Sequence, residues 1–107
     1  MRAGKLRHRI RLQRLNKTRN DFGESIEQWQ DLAQCWAEVK PVSGKETFLS
    51  KQFVAEASHE VWLRFRSDIR ASDRVIDHRG NSLDIKALLD IGGRGRLLKL
   101  ICRQVGL

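Results

Sequence analysis

Two carboxylates and a lysine late in the chain have the spacing of a nuclease site. Asp84-Ile-Lys86 places a carboxylate two residues before a lysine, and Asp77 lies shortly upstream. Such a group could hold a divalent cation and orient a water molecule for attack on a phosphodiester. The same charge pair on a strand is more often a solvated cross-strand partner, and three-residue matches arise frequently by chance. A metal-dependent nuclease is therefore the weakest of three interpretations of this sequence.

Other residues capable of catalysis or metal binding do not form a recognisable motif. His8, His59 and His78 have no spacing that favours a shared metal, and no Ser or Cys sits in a nucleophile turn. The glycine-rich stretch 92–96 lacks the lysine and the helix start of a phosphate-binding loop. We therefore expect no catalytic residue, no cofactor and no metal site.

The stretch from residue 59 to residue 66 has instead the chemistry of a contact surface. Its side chains alternate with period two, which predicts a β-strand. The apolar face comprises Val61, Leu63 and Phe65, and the opposite face comprises Trp62, Arg64 and Arg66. An aromatic ring beside two guanidinium groups is typical of a protein interface, although the same face could be the ordinary solvated back of a sheet.

The N-terminal segment is basic and also patterned. No acidic residue precedes Asp21, and Ile10 and Leu12 alternate with Arg9 and Arg11. This alternation predicts a strand with one face in a core. The other face, Arg7, Arg9 and Arg11, either prevents edge-to-edge strand pairing or binds DNA or an acidic protein surface.

Length and composition predict one domain, residues 1–107, with a single modest core. The net charge is +8 and the pI is about 10.3, which indicates a polyanion or an acidic protein surface as partner. No apolar run reaches bilayer length and the start lacks a signal peptide, so we expect an intracellular protein or part of an assembly built in a cell. Cys35 and Cys102 lie 67 positions apart and are expected to be reduced core thiols.

The first half of the chain predicts strands separated by a turn and by one helical interruption. Residues 20–24 form a turn in which Gly23 can adopt positive φ. Residues 26–40 have apolar spacings that suit a helix, whereas residues 34–40 have a composition that suits strands, so the residues alone leave both open. The family resemblance described below implies two short strands. Ser43-Gly-Lys-Glu46 has the spacing of a capping box, which predicts a helix or a long, partly helical excursion over about 44–58.

The second half predicts further short strands. Residues 74–78 and 82–86 read as a β-hairpin around a Gly-Asn turn, and residues 87–91 continue the second strand or bend away from it. A basic loop at 92–96 precedes a last strand with Leu98, Leu100 and Cys102 on one face. The fold class is therefore mainly β, a small antiparallel barrel or sandwich with one helix or partly helical loop between strands.

A small basic barrel could act as a nucleic-acid-binding module, which is the second interpretation. Trp62 would stack on bases, while Arg64, Arg66 and the basic N-terminal face would contact phosphates. The chain has no Tyr and seven per cent aromatic residues, and their spacing does not form a base-stacking series.

The order of several short motifs provides the third interpretation. These are Met1-x-Ala-Gly-Lys-Leu-Arg-His-Arg-Ile10, Asp21-x-Gly23, Trp29, Trp36-Ala-Glu-Val39, Pro41-x-Ser-Gly-x-Glu46, Leu63-x-Phe-Arg66 and Asp68-Ile69. In this order and spacing they resemble the phage head-tail joining family, also called head-closure or stopper proteins, from Gly4 to about Cys102. The end from Gly92 to Leu107 is less distinctive.

The resemblance implies a structural connector in the virion, made in the host cytoplasm and not associated with a membrane. Such a protein forms a homo-oligomeric ring, dodecameric in form, between the portal and adaptor rings and the tail proteins, and it retains the double-stranded DNA that passes through its channel. In that family the long excursion between the second and third strands faces the channel. Here the matching segment would be about 43–58, and Lys45, Glu46, Lys51 and Gln52 would be its candidates for the channel side.

Overall fold

The computed structural model describes residues 6–42 and 57–105, and within them six strands form a closed antiparallel barrel. The strands are β1 (His8–Arg19), β2 (Ser25–Pro41), β3 (His59–Arg64), β4 (Arg74–Ile76), β5 (Ser82–Ile91) and β6 (Leu97–Gln104). Their order around the barrel is β1-β2-β3-β6-β5-β4. These ranges contain no helix, and therefore no helix that is long and apolar enough to span a membrane. The prediction of a mainly β, antiparallel barrel is confirmed.

The barrel core consists of the inward-facing residues of all six strands. They are Ile10, Leu12, Ala37, Val39, Val61, Leu63, Val75, Leu83, Ile85, Leu98, Leu100 and Cys102. The alternation in β1, β3 and β6 predicted these faces, because successive strand residues point to opposite sides of the sheet. Cys102 is fully buried in the core, whereas Cys35 is only half-buried, and both are free cysteines.

β2 is one strand of 17 residues, whereas the sequence analysis predicted two short strands. The pairing with β1 shifts at one point: Leu12 lies opposite Ala33, but Gln13 lies opposite Asp31. Leu32 is thus the extra residue of a β-bulge, which changes the face on which the following side chains lie. The helix-like spacing from Trp29 to Ala33 spans this bulge, so it arises from one bulged strand and not from two strands or a helix.

A two-stranded arm extends from the barrel beyond this bulge. Among the described strands, β4 pairs with β1 only from Arg11 to Gln13, and β3 pairs with β2 only from Ala37 to Pro41. Residues 14–31 therefore form a hairpin whose strands pair with each other alone in these ranges, and we call this segment the arm. The arm helps to explain the elongated shape, with principal-axis extents of 49 × 27 × 27 Å.

The base of the arm is attached to the connection between β3 and β4. Arg14 donates two hydrogen bonds to the carboxylate of Asp73, from Nε at 2.9 Å and from Nη2 at 3.0 Å, and another to the carbonyl of Asp68. The carboxylate of Asp73 also accepts the backbone N–H of Arg70 at 2.8 Å. These contacts restrain the direction in which the arm leaves the barrel.

The turn predicted at residues 20–24 and the hairpin between β4 and β5 are both present. Gly23 and Gly80 have φ angles of 78° and 85°, which explains why glycine suits each turn. β5 extends to Ile91, so residues 87–91 continue the strand, with a shift in its pairing with β6 between Ile85 and Ala87. The helix or partly helical loop predicted over 44–58 falls almost entirely on residues 43–56, outside the described ranges.

Candidate functional site

Trp62, on the outer side of β3, is half-buried and covers an ion pair. Lys99 Nζ lies 3.2 Å from Glu60 Oε2, and both side chains are more than nine-tenths buried. The indole N–H of Trp62 donates to Glu60 Oε1 at 3.1 Å. Two ammonium groups face its ring, Lys99 at 4.8 Å and Lys40 at 5.6 Å from the ring centroid. Trp62 is therefore part of a packed polar layer on the barrel wall.

Arg64 and Arg66 lie at the end of the same strand and in a different setting. Arg64 is the last residue of β3 and is exposed, and it makes no ion pair with any described residue. Arg66 follows the strand and binds Asp68 with two hydrogen bonds, at 3.0 and 2.8 Å. This bidentate contact lowers the pKa of Asp68 below its ordinary value. The predicted docking face is thus divided between the layer around Trp62 and the strand end.

The two arginines at the strand end border a groove of about 340 Å³, which we call the arginine-rimmed groove. It is lined by Leu6, Arg9, Gln34, Cys35, Trp36, Arg64, Phe65 and Arg66. The groove opens where β2 and β3 separate, because their pairing begins only at Ala37. Its lining combines two aromatic side chains with three guanidinium groups. Such a combination suits a partner that presents an apolar side chain beside carboxylates.

Phe65 belongs to this groove, and its predicted place on the apolar core face is wrong. β3 ends at Arg64, and the N–H of Phe65 donates to the carbonyl of Arg96 at 3.1 Å. The side chain is 37% exposed. Alternation places a side chain in the core only as far as the strand forms part of the barrel wall, and Phe65 lies beyond that limit.

The basic face of the first strand contributes one residue to the groove. Arg9 lies over the ring of Trp36 at 5.2 Å and donates to Gln34 Oε1 at 3.4 Å. Arg11 lies 3.9 Å from the carboxylate of Asp31. Arg7 is exposed and precedes β1. The structure therefore brings Arg9 together with Arg64 and Arg66, and it separates them from Arg7 and Arg11.

Trp36 and Gln34 are among the groove residues that the sequence analysis did not assign to a site. Trp36 is 53% exposed, a large value for tryptophan. The available signal was the alternation of β2, since the buried Ala37 and Val39 require Trp36 and Glu38 to point outward. The predicted channel-facing residues Lys45, Glu46, Lys51 and Gln52 lie outside the described ranges.

The carboxylates considered for a nuclease site have structural contacts. Asp77 is buried, and its Oδ1 accepts the backbone N–H groups of Arg79 at 2.9 Å and Asn81 at 2.8 Å. Asp84 lies opposite Arg74 on β4. Within residues 6–42 and 57–105, no group of three or more His, Cys, Asp or Glu side chains could hold a metal ion. The geometry of Asp77 is that of a turn-stabilising residue.

A second cavity of about 250 Å³ lies at the other end of the barrel and is lined in part by His8, His59 and His78. The rings of His8 and His78 stack with centroids 4.0 Å apart. His8 Nδ1 accepts the backbone N–H of Val39 at 3.0 Å, so this nitrogen carries no proton. Burial first, and then the charges of His78 and Arg7, lower the pKa of His8.

The His8 contact predicts a pH dependence of stability. Because the folded-state pKa lies below the unfolded value of about 6.5, the unfolded chain binds more protons at pH values between the two. The contribution of His8 to the free energy of unfolding should therefore be fully present above about pH 6.5. It should be lost progressively as the pH falls towards the folded-state pKa. Urea unfolding at pH 7.5 and pH 5.5 measures this loss. His8→Gln should reduce the difference between the two pH values, and an unchanged difference would contradict the assignment.

Comparison with known proteins identifies the family. The model of the phage head completion protein family matches residues 1–105. The chain is 30% identical to the head completion protein gp7 of Enterobacteria phage HK97, with 96% of each chain covered. It is 34% identical to protein SF1141 from Shigella flexneri 2a, whose solution structure superposes with a TM-score of 0.79 over 99% of this chain and 98% of that one.

A chain in the virion of a native gene transfer agent particle has the same fold, with 21% identity and a TM-score of 0.62 over 91% of this chain and 93% of that one. The resemblance to phage connector proteins is thereby confirmed, and the chain belongs to the phage head completion protein family, whose members are structural components of the virion.

Proposed function

We propose that this protein joins the DNA-filled head to the tail below the portal and helps to retain the packaged DNA. It does so as a homo-oligomeric ring, in contact with portal or adaptor proteins on one side and tail proteins on the other. The observation that carries the proposal is the match to the head completion family over residues 1–105. On this proposal, the protein acts at the vertex where the genome enters and the tail attaches.

The geometry supports a role in protein contacts. A ring subunit needs side surfaces for its neighbours and axial surfaces for the rings above and below. The arginine-rimmed groove supplies one surface with aromatic and guanidinium anchors, which are enriched where interfaces are strongest. The arm, residues 14–31, supplies a second surface that projects from the barrel.

The arrangement of charge supports contact of the basic face with protein. Arg9 lies over Trp36, and Arg11 lies near Asp31, so neither side chain is directed solely towards solvent. A channel with many lysines and arginines free to bind phosphate would hold DNA tightly and slow its passage. Positive charge used in contacts between proteins avoids that effect and favours correct pairing of complementary surfaces.

Complementation of a gene deletion tests this function. Particles from the encoding phage without this gene should contain filled heads that lack tails and lose their DNA, and the wild-type gene supplied in trans should restore tails. A gene that carries both Arg64→Glu and Arg66→Glu should restore few tails or none, because the two changes reverse the charge at one side of the groove. Electron microscopy of particles and measurement of DNA released from heads give the two readouts.

The control carries the same change in charge elsewhere on the barrel. Arg79→Glu with Lys86→Glu alters two exposed residues in the β4–β5 turn and on β5, and it should restore tails as well as wild type does. Circular dichroism verifies that both double variants remain folded. Normal tailed particles in the complete absence of the gene would overturn the proposed function. Normal tails with the Arg64 and Arg66 variant would exclude these two residues from the interface.

A further inference from the structure

The turn at the end of the arm presents one exposed aromatic side chain on a preorganised backbone. Phe22 is 87% exposed. The side-chain oxygen of Asn20 accepts the N–H groups of Phe22 at 2.9 Å and Glu24 at 3.0 Å, and Gly23 N–H donates to the Asn20 carbonyl at 3.0 Å. Because the backbone is held in this way, only the side-chain torsions of Phe22 lose freedom when the ring is buried against a partner. Phe22 therefore has the properties of a binding anchor.

The charge of this turn is opposite to that of the barrel. Residues 20–24 contain two acidic residues and no Lys or Arg, in a chain with a net charge of +8. Asp21 and Glu24 flank Phe22, and both are exposed. An aromatic ring between two carboxylates is complementary to the arginine-rimmed groove, which combines Trp36 and Phe65 with guanidinium groups.

The length of the arm prevents the turn from reaching the groove of its own subunit. Arg9 lies in the groove and Asn20 begins the turn, and a strand of eleven residues at about 3.3 Å per residue separates them by roughly 36 Å. The two strands of the arm are paired with each other along its length, so the arm cannot fold back. The molecule is 49 Å long and 27 Å wide, and the arm contributes to the long dimension, so the turn can reach the groove of a neighbour that is tilted or shifted along that dimension.

We propose that Phe22, with Asp21 and Glu24, binds in the arginine-rimmed groove of a second copy of this chain. Each copy then donates one arm and offers one groove, which is a head-to-tail contact that closes into a ring when the rotation per subunit permits. The inference rests on the proposed function, because it describes how ring subunits bind each other. A single aromatic anchor forms a small contact, so the remaining ring surfaces share in the affinity.

Cross-linking of paired cysteines tests the contact. In a Cys35→Ala background, Asp21→Cys places a thiol on the turn and Gln34→Cys places one in the groove, and both positions are exposed. Cys102 is fully buried and burial raises the pKa of its thiol, so it should not react. A short bismaleimide reagent applied to particles, and to the concentrated purified protein, should convert the variant with both cysteines into a ladder of covalent oligomers.

The variants with one cysteine distinguish a head-to-tail contact from its alternatives. Each alone should give no cross-link, and an equal mixture of the two should give dimers but no longer species. Dimers formed by the Asp21→Cys variant alone would indicate a two-fold contact between arms and overturn the proposal. Cross-links from Asp21→Cys to a different virion protein would also overturn it, because the arm would then bind another ring.

Removal of the anchor provides the quantitative test. Phe22→Ala in the cross-linking variant should lower the yield of oligomers at least about tenfold, since a central aromatic anchor carries much of the energy of a contact. Val105→Ala, at a residue 53% exposed outside the arm, should leave the yield unchanged. An unchanged yield with Phe22→Ala would overturn the inference while leaving the connector role intact. Only tailed, stable particles without the gene would refute that role.

Discussion

Lys99→Met is expected to lower the free energy of unfolding by about 3–5 kcal/mol, because it leaves a buried carboxylate without its cation. The Lys99 ammonium lies 3.2 Å from Glu60, and the two side chains are 6% and 9% exposed. The only other described group bound to that carboxylate is the indole N–H of Trp62. Urea unfolding at neutral pH, followed by tryptophan fluorescence and circular dichroism, measures the loss.

Lys40→Met is the matched control for this prediction. Lys40 also faces the ring of Trp62, at 5.6 Å, but its side chain is 45% exposed and its partner Glu38 is near the surface. Its loss should change the free energy of unfolding by less than about 1 kcal/mol. The double variant Glu60→Gln with Lys99→Met should be more stable than Lys99→Met alone, because no unpaired charge remains. Equal effects of the Lys40 and Lys99 changes would refute the buried ion pair.

Leu12→Ala is expected to reduce the free energy of unfolding by about 2–5 kcal/mol, because it creates a cavity in the centre of the barrel. Leu12 is fully buried, lies opposite Val75 on β4 and Ala33 on β2, and precedes the bulge at the base of the arm. Chemical denaturation of the purified protein gives the value. If the slope of the unfolding free energy against denaturant concentration is the same as in the wild type, the variant exposes the same surface on unfolding and retains the fold.

Leu15→Ala makes the same chemical change three residues further along β1. Leu15 is half-buried in the arm, opposite Trp29, and outside the closed part of the barrel. The cost should be less than half of that at Leu12, because less apolar surface is removed from contact. Similar losses at the two positions would mean that the arm is packed as tightly as the barrel, which would argue against an arm available for a neighbouring subunit.

These predictions connect stability with the proposed connector role. A closed barrel has no free edge around its wall, so it can hold several contact surfaces in constant relative positions. The bulge at Leu32 and the contact between Arg14 and Asp73 determine where the arm leaves that wall. The groove opens at the separation of β2 from β3, next to the same strand that continues into the arm. One long strand thus carries part of both proposed interaction surfaces.

Much of the fold could be predicted from local patterns. The alternation of Ile10 and Leu12, and of Leu98, Leu100 and Cys102, predicted strands and their buried faces. This succeeded because the side-chain period of a strand is two and one face of a barrel wall is dry. The order of motifs also indicated the family, which the comparisons show.

The division of β2 was predicted wrongly because a bulge has no reliable local signature. The extra residue Leu32 interrupts the alternation, so the apolar residues on either side of it have the spacing of a helix. Only the pairing with β1 shows which residue is displaced. Phe65 was misplaced for a related reason, since the end of β3 depends on where its neighbouring strands end.

The amino-acid sequence by itself determined the strand periodicity, the turns at Gly23 and Gly80 and the excess of positive charge, because each depends on residue type or on neighbours along the chain. Tertiary structure alone decided that Trp62 covers a buried ion pair while Arg9, Arg64 and Phe65 meet at one groove. Those contacts join strands that are distant in sequence, and their positions follow from the register and closure of the barrel.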